Sequence, residues 1–503
     1  NVFMTYRNFF AQIDLTYSKE IVNKALITYP QLTQILYKYF VTKFSLEQKY
    51  GSLDYRKTVL LPQIKKDFED GLRDVAEVSY DVVFRKILNI MESTLRTNFY
   101  IKKEDVNETF ISIKINSRNV KPMPLPVPYR EIYVHDVGVE GVHLRFGAIA
   151  RGGLRWSDRP YDFRSEVLGL VKTQQVKNVV IVPNGSKGGF VVKKTFAHKE
   201  EMFEEGKKQY KKFISGLLDV TDNVDKHGSV MHPKEVMIYD ESDPYLVVAA
   251  DKGTATFSDL ANSISQKYGF WLGDAFASGG SYGYDHKKLA ITARGAWECV
   301  KLHFKEKGID VDKEVTTAIG IGDMAGDVFG NGLLRSKFVK LKAAFNHIHI
   351  FLDPDPDPAK SFAERKRLFE LPHSSWKDYR PSLISNGGGV FDRQAKEIKL
   401  SKQVQEMLEV NTDVLTGEEV VKAILKMKVD FLWLGGIGTY IKGTEQTQAQ
   451  VGDPANDRVR INASECRFSI IGEGANLGFT QLARMEFEDN EGACNTDAID
   501  NSA

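Results

Sequence analysis

The sequence predicts an α/β protein of two domains preceded by a helical segment, and three changes of pattern along the chain predict it. Apolar residues recur every three or four positions in the first hundred residues and alternate every second position between Phe110 and Ile149. From Thr316 onward they gather into short runs separated by helical stretches. These are the patterns of amphipathic helices, of half-buried antiparallel strands, and of strands buried on both faces by crossing helices. With 503 residues, 42% apolar and 27% charged, the chain has material for large cores, which excludes disordered, collagenous and low-complexity classes.

The helical segment, residues 1–109, rests on Val75, Val78, Val82, Val83, Ile87, Ile90 and Met91, whose spacing builds one apolar face and assigns this part to packing. A Pro-rich stretch from Pro122 to Pro128 opens the first compact domain, residues 110–305. Phe110 to Ile113 alternate there, and Val142, Leu144, Phe146 and Ala148 do so after a turn at Gly138-Val139-Glu140-Gly141. Val179–Val182 and Leu246–Ala250 read as buried strands. An amphipathic helix over 199–218 carries Met202, Phe203, Tyr210, Phe213, Ile214, Leu217 and Leu218 inward, and a helix over 293–307 closes the domain.

The second domain, residues 306–490, alternates strands at Thr317–Ile321, His347–Leu352, Phe431–Leu434 and Phe468–Ile471 with helical stretches, the pattern of a parallel sheet built from βαβ units. Pro354 to Pro358 and Asn386 to Gly389 mark an irregular insertion. Residues 491–503 end without a closing helix, and the chain opens on Asn1 rather than Met, so a fragment of a longer polypeptide is expected.

The charges exclude some partners. Lys plus Arg (68) and Asp plus Glu (67) nearly cancel, which leaves no net field to recruit nucleic acid or an anionic membrane. No apolar run of about 18 residues and no secretory leader is present. Three scattered cysteines, Cys299, Cys466 and Cys494, form neither a disulfide framework nor a metal-ligand spacing, which predicts a reducing, cytoplasmic setting and no metal.

Three groups of residues carry chemistry. The first is Gly320-Ile321-Gly322-Asp323-Met324-Ala325-Gly326, a glycine turn between a strand and a helical stretch, one residue longer than the usual GxGxxG. Glycines there admit a pyrophosphate against the backbone and the following helix. Asp353, at the end of the next predicted strand, is expected to accept the ribose hydroxyls of NAD and to repel the 2′-phosphate of NADP.

The second group is Arg151-Gly152-Gly153-Leu154-Arg155, then Lys177, then Ser186-Lys187-Gly188-Gly189. Cations around glycine-rich turns can gather on one small anion. A lysine in a partly dry pocket beside other cations has its pKa lowered into useful range, and Lys187, bracketed by glycines after a buried run, fits that description. The third is Asp251, at the end of a buried strand, which reads equally as a proton shuttle and as the N-cap of the following helix. His347 and His349, the lysines from Lys199 to Lys212, and Cys299 read as packing or solvated surface.

Taken in order, Arg-Gly-Gly-Leu-Arg at 151–155, Lys177, Ser-Lys-Gly-Gly at 186–189, Asp251, Thr292-Ala293-Arg294-Gly295, the glycine turn and Glu473-Gly474-Ala475-Asn476 resemble the Glu/Leu/Phe/Val dehydrogenase superfamily. Residues 151–190 and 320–357 look most like the large-subunit NAD-specific glutamate dehydrogenases. The resemblance runs from about residue 125 to the C-terminus, and the helical first hundred residues fit only the large-subunit class.

The resemblance implies a substrate-binding domain and a Rossmann-like NAD-binding domain around a cleft. It implies reversible oxidative deamination of L-glutamate to 2-oxoglutarate and ammonium, by hydride transfer and then imine hydrolysis. Lys187 falls on the family's catalytic lysine and Asp251 on its proton-shuttling aspartate, while Lys177 matches the lysine for the substrate α-carboxylate. Arg151, beside Gly152 and Gly153, stands where smaller relatives carry a lysine for the distal carboxylate and where relatives acting on leucine or phenylalanine carry an apolar residue. A planar cation there favours a dicarboxylic substrate. Asn476 matches the asparagine beside the nicotinamide ribose, and Gly435, Gly436 and Gly438 line the adjacent turn. A homo-oligomer of the full-length protein is implied as well. The alternatives are another amino-acid dehydrogenase on the same scaffold and a dinucleotide-binding fragment without turnover.

Overall fold

The structure, a computed structural model, describes all residues except 103–108, 173–183, 195, 197, 252, 255, 282, 284, 285, 373, 437 and 501–503, and leaves aside the side chains of residues 172, 199 and 286. Lys177 and the strand expected at Val179–Val182 therefore lie outside the described residues. The rest falls into two compact units, one within residues 1–284 and one within 285–503.

In the first unit, helices α1 (Val2–Ile13), α2 (Lys19–Thr28), α3 (Pro30–Phe44), α4 (Leu61–Leu72) and α5 (Val78–Ser93) precede a seven-stranded sheet. Its strands are β1 (Thr94–Thr97), β2 (Ile111–Ile115), β3 (Arg130–His135), β4 (Val139–Arg145), β5 (Ala150–Trp156), β6 (Asn184–Val192) and β7 (Val247–Ala250), in the order β1-β2-β3-β4-β6-β5-β7. Pairing is antiparallel from β1 to β6 and parallel for β6-β5 and β5-β7. The i, i+4, i+7, i+8 spacing of Val83, Ile87, Ile90 and Met91 buries one face of α5. That face joins Phe9, Phe40, Tyr133, Val142 and Leu144 in one apolar cluster, so the N-terminal helices and the sheet share a core. Helix α6 (Phe163–Lys172) adds Phe163 and Val167 on that side.

The other face of the sheet is covered by α7 (Lys199–Leu218) and α8 (Ser258–Lys267), with Tyr210, Phe213, Ile214 and Leu217 against Leu154, Phe190 and Phe257. The sequence reading of α7 holds in its C-terminal half only. Met202 and Phe203 are 44% and 38% exposed, although the Phe203 ring still meets that of Phe257. The turn expected at residues 138–141 begins earlier, at Asp136, since β4 already starts at Val139.

Between α7 and β7 the chain is tied down by buried charge. Arg96 Nη1 donates to Asp222 Oδ1 at 2.7 Å, Lys114 Nζ to Asp240 Oδ2 at 2.6 Å, and Arg145 Nη1 to Asp243 Oδ1 at 2.8 Å. Each charge loses its hydration, so the pairs hold the segment in place while adding little net stability.

The second unit carries a six-stranded sheet made of β8 (Thr316–Ile321), β9 (Val339–Phe345), β10 (His349–Leu352), β11 (Gly389–Asp392), β12 (Phe431–Leu434) and β13 (Ile470–Glu473), ordered β11-β10-β9-β8-β12-β13. Strands β9, β8, β12 and β13 run parallel, as the apolar runs predicted for three of them. The run at residues 347–352 departs from that expectation. It pairs antiparallel with β9, a strand the sequence reading missed, and His347 lies in the loop. Only residues 346–348 separate the two strands, and so short a link can close a hairpin but not a crossover.

Both faces are buried. Ile319, Ile321, Phe345, Leu432 and Leu434 point into one cluster and Ala318, Leu341, Ala344, Phe431 and Trp433 into the other. The second cluster includes Trp297 and Phe304 of α9 (Ile291–Glu306) and Phe329 of α10 (Asp327–Leu333). The insertion after β10 folds as α11 (Pro358–Glu370), capped by Asp357, and β11. The C-terminal part forms α12 (Gln481–Asp489) and α13 (Asp497–Asp500). Among the described residues no helix is long and apolar enough to cross a membrane.

Candidate active site

The glycine-rich motifs of the first unit are strands rather than turns. Arg151, Gly152 and Gly153 lie within β5, and Lys187 is in the middle of β6. Glycine is required there because neighbouring backbone is close. A Cβ on Gly152 would sit 1.6 Å from the carbonyl oxygen of Ser186, and one on Gly153 would sit 2.8 Å from that of Ala250. Parallel pairing sets Arg151 opposite Gly185 and Arg155 opposite Gly189, so Arg151, Arg155 and Lys187 share one face of the sheet.

On that face, Lys187 Nζ lies 2.5 Å from Asp251 Oδ2. Lys187 is only 3% exposed. Burial pulls its pKa down from the ordinary lysine range, Asp251 opposes the shift, and the charge of Arg155 adds to it. Asp251 follows β7 directly. Its backbone N–H donates to Thr254 Oγ1 at 3.0 Å, and the next helix begins only at Ser258, with Phe257 as N-cap. The N-cap reading of Asp251 therefore drops out.

Two further residues join the cluster. Arg155 Nε donates to Asp251 Oδ2 at 3.0 Å, and its Nη1 donates to Glu166 Oε1 of α6, also at 3.0 Å. Ser157 Oγ donates to Glu166 Oε2 at 2.5 Å. Spacing gives no sign that Glu166 reaches back to β5, and only the packing of α6, with Val167 beside Gly189, brings it there. Arg151 is exposed on the same face.

In the second unit, most of the predicted dinucleotide residues gather at the carboxyl ends of the parallel strands. Gly320 ends inside β8, and Gly322 follows with φ +138°, a conformation that favours glycine. Asp323, Met324 and Gly326 complete the turn into α10. Gly436 follows β12. A Cβ there would stand 3.1 Å from the carbonyl oxygen of Ile321 and 3.3 Å from the Cα of Gly322, so the two turns approach closely. Strand order reverses here: β8 is followed in sequence by its neighbour β9 on one side and later by β12 on the other, the switch point at which open α/β sheets bind nucleotides.

Asn476 lies in the turn after β13. Two aspartates of α13 hold that turn: Asp497 Oδ2 accepts from Leu477 N at 2.9 Å, and Asp500 Oδ2 accepts from Glu473 N at 2.8 Å. Glu473 also pairs with Arg484 of α12.

Asp353 is elsewhere. It follows the antiparallel β10, so it sits beside Lys342 in the interior of β9 rather than at the carboxyl edge. Its side chain is fully buried and accepts from the N–H and Oγ of Ser385. The expected contact of Asp353 with the ribose is thereby overturned, because a hairpin reverses the strand that carries it. Among the described residues no group of three or more His, Cys, Asp or Glu is arranged to hold a metal ion.

Residues 67–503 match the family described as bacterial NAD-glutamate dehydrogenase, catalytic domain, and residues 1–46 match glutamate dehydrogenase, helical motif 3. The chain is 52% identical over 500 residues to an NAD-specific glutamate dehydrogenase of Pseudomonas aeruginosa and 50% identical over 514 residues to one of Mycobacterium tuberculosis, with 99% of this chain and 31% of each relative covered. It thus spans about a third of the length of the curated relatives it matches. Among solved structures, a glutamate dehydrogenase of Plasmodium falciparum matches at 14% identity and a TM-score of 0.44, over 96% of this chain and 78% of that one.

Proposed function

The chain belongs to the bacterial NAD-glutamate dehydrogenase catalytic-domain family, and from that premise we propose that it carries out the reversible, NAD-dependent oxidative deamination of L-glutamate to 2-oxoglutarate and ammonium. The observation that carries the reading is the buried Lys187–Asp251 pair at 2.5 Å, a proton donor and acceptor in contact and largely shielded from solvent.

The substrate is bound on the first unit. Arg151 takes the distal carboxylate, for which a planar guanidinium is suited, and Lys177 takes the α-carboxylate. NAD is bound on the second unit, at the turn of Gly320, Gly322, Asp323, Met324 and Gly326, with Gly436 and Asn476 beside it. The fit rests on the glycine turn between β8 and α10, where Gly322 takes φ +138°, and on its place at the switch point of the parallel strands. When bound, NAD accepts the hydride from the substrate α-carbon.

Loss of that hydride and of a proton from the amino group leaves a 2-imino acid. Lys187 donates a hydrogen bond at the reacting carbon's nitrogen or oxygen, and Asp251 removes a proton from the water that adds to the imine. That proton passes across the pair to the nitrogen, the carbinolamine hydroxyl then gives up its own proton by the same route, and the C–N bond breaks as the C=O bond forms, releasing ammonia and 2-oxoglutarate. Arg155, anchored by Glu166, keeps the Asp251 carboxylate in register with Lys187 throughout. The three cysteines are free, in keeping with a reducing, cytoplasmic setting. Homo-oligomerisation of the full-length polypeptide belongs to the same proposal, with light scattering as its check.

The test is absorbance of NADH over time with 2-oxoglutarate and ammonium, beside 4-methyl-2-oxopentanoate and beside NADPH. Consumption of NADH with 2-oxoglutarate alone supports the proposal. Turnover of the branched substrate instead makes the chain a different amino-acid dehydrogenase, and NADH binding without any turnover makes it a binding module.

A further inference from the structure

With Asp353 buried in the interior of the sheet, the acid that reads the adenosine ribose has to be found elsewhere. In a dinucleotide fold that acid stands just past the second parallel strand, and here the second parallel strand is β9, followed by Asn346, an amide. Asn346 is nearly buried, and its orientation is settled by its surroundings. Its Oδ1 accepts from the N–H of Ile348 at 2.8 Å and of His349 at 2.7 Å, which closes the hairpin loop. Its Nδ2 must therefore be the group turned the other way, where it donates to Asp323 Oδ2 at 2.8 Å. The second oxygen of Asp323 accepts from Gly326 N at 3.1 Å. A carboxylate from the glycine turn is thus carried to the end of β9 and held there by two donors, half-exposed, with acceptor capacity remaining on both oxygens.

We infer that Asp323, positioned by Asn346, is the residue that accepts the adenosine ribose hydroxyls and excludes a 2′-phosphate, and so sets the choice of NAD over NADP. The inference rests on the proposed dinucleotide edge and deepens it. A free diol offers two donors to a fixed carboxylate, whereas a phosphate at the same place meets a like charge. Two cations at that edge are engaged: Arg393 Nη1 donates to the Asn346 carbonyl at 2.9 Å and Nη2 to Asn456 Oδ1 at 3.4 Å, with the guanidinium over the Phe345 ring, and Lys287 Nζ donates to the Ala325 carbonyl at 2.9 Å.

The experiment measures binding of NADH and of NADPH to the full-length protein by fluorescence titration, for wild type, Asp323→Asn, Asn346→Ala and Asp353→Asn, each checked for folding by circular dichroism. Wild type binds NADH more tightly. In Asp323→Asn the NADH constant weakens by about tenfold and the NADPH constant improves, so that their ratio moves by roughly a hundredfold. Asn346→Ala moves the ratio in the same direction by less, and Asp353→Asn leaves it in place. A folded Asp323→Asn protein with an unchanged ratio, or a ratio that follows Asp353 instead, overturns the inference while leaving the dinucleotide edge intact. A wild type that binds neither nucleotide overturns the edge and the inference together.

Discussion

Lys187 and Arg155 converge on the same oxygen of Asp251, at 2.5 and 3.0 Å. One carboxylate oxygen is thereby shared between a cation that titrates and one that does not. Arg155 supplies fixed positive charge beside Asp251, and Lys187 is the cation of the two that exchanges a proton. Glu166 supplies fixed negative charge one step further back.

This arrangement makes the pH dependence of activity move in opposite directions for two neighbouring substitutions. The charge of Arg155 lowers the Lys187 pKa and that of Glu166 raises it. Arg155→Met is expected to move the alkaline limb of the kcat/KM profile upward and to reduce kcat by about ten- to a hundredfold, whereas Glu166→Gln moves the limb downward. Arg155→Lys restores part of kcat. Limbs that move together, or not at all, would remove Arg155 and Glu166 from the proton path.

Lys187→Ala is expected to reduce turnover by at least about a thousandfold while leaving the dissociation constant for NADH within about twofold, since Lys187 belongs to the first unit and the proposed nucleotide site to the second. Stopped-flow turnover and a fluorescence titration on the same preparation check this. Parallel loss of both would count against the assigned role.

The close approach of β5 to β6 is tested by adding one methyl group. Gly152→Ala places a carbon within bonding distance of the Ser186 carbonyl oxygen, and a backbone atom between paired strands has no room to yield. Destabilisation of at least about 3 kcal/mol is expected, enough to abolish a soluble first unit. A thermal melt within a few degrees of wild type would show that the strands separate more easily than their pairing indicates.

Much of this was legible in the sequence, and the part that was not shares one physical origin. Runs such as Phe431–Leu434 and Phe468–Ile471 announce buried parallel strands, because a strand covered on both faces has no polar side to show. Lys187 and Asp251 are visible as polar residues set against apolar runs. The β9–β10 hairpin does not show in the sequence because Lys340 and Lys342 interrupt the apolar run of β9, and reading residues 347–352 as a lone parallel strand sets Asp353 at the wrong end of the sheet. The roles of Arg155, Glu166 and Asn346 depend on partners 11 to 96 residues away, for which local pattern carries no signal.

Acid sensitivity of the first unit is expected to trace to a histidine outside the site. His143 on β4 is buried with no hydrogen-bond partner at either ring nitrogen among the described residues, and burial pushes its pKa down to about 3. Between the ordinary histidine value of about 6.5 and that depressed value, the unfolded chain binds a proton that the folded one does not, so stability falls as pH falls, by about 1.4 kcal/mol per pH unit. Above about pH 6.5 neither state is protonated there and the contribution is constant. His143→Met should flatten this slope between about pH 6.5 and 4.5, measured by urea unfolding across that range. An unchanged slope would assign the acid sensitivity to another group.

The turn that carries Asn476 is held by Asp497, which accepts from Leu477 N, a residue with φ +53°. Asp497→Ala is expected to weaken NADH binding by roughly three- to tenfold, while Asp497→Asn, which keeps an accepting oxygen, recovers most of the loss. Equal effects of the two substitutions would point to the charge near Arg484 rather than to the turn.

The shared core of the N-terminal helices and the sheet also bears on synthesis. Its members begin at Val2 and end at Val191, so the apolar faces of the first helices leave the ribosome long before their partners on β2, β3, β4 and β6 exist. Through that interval they stay uncovered, and contacts of such long sequence separation form slowly. A nascent chain arrested near residue 130 should therefore be captured by holdase chaperones and cut readily by protease, and one arrested well beyond residue 191 should resist both.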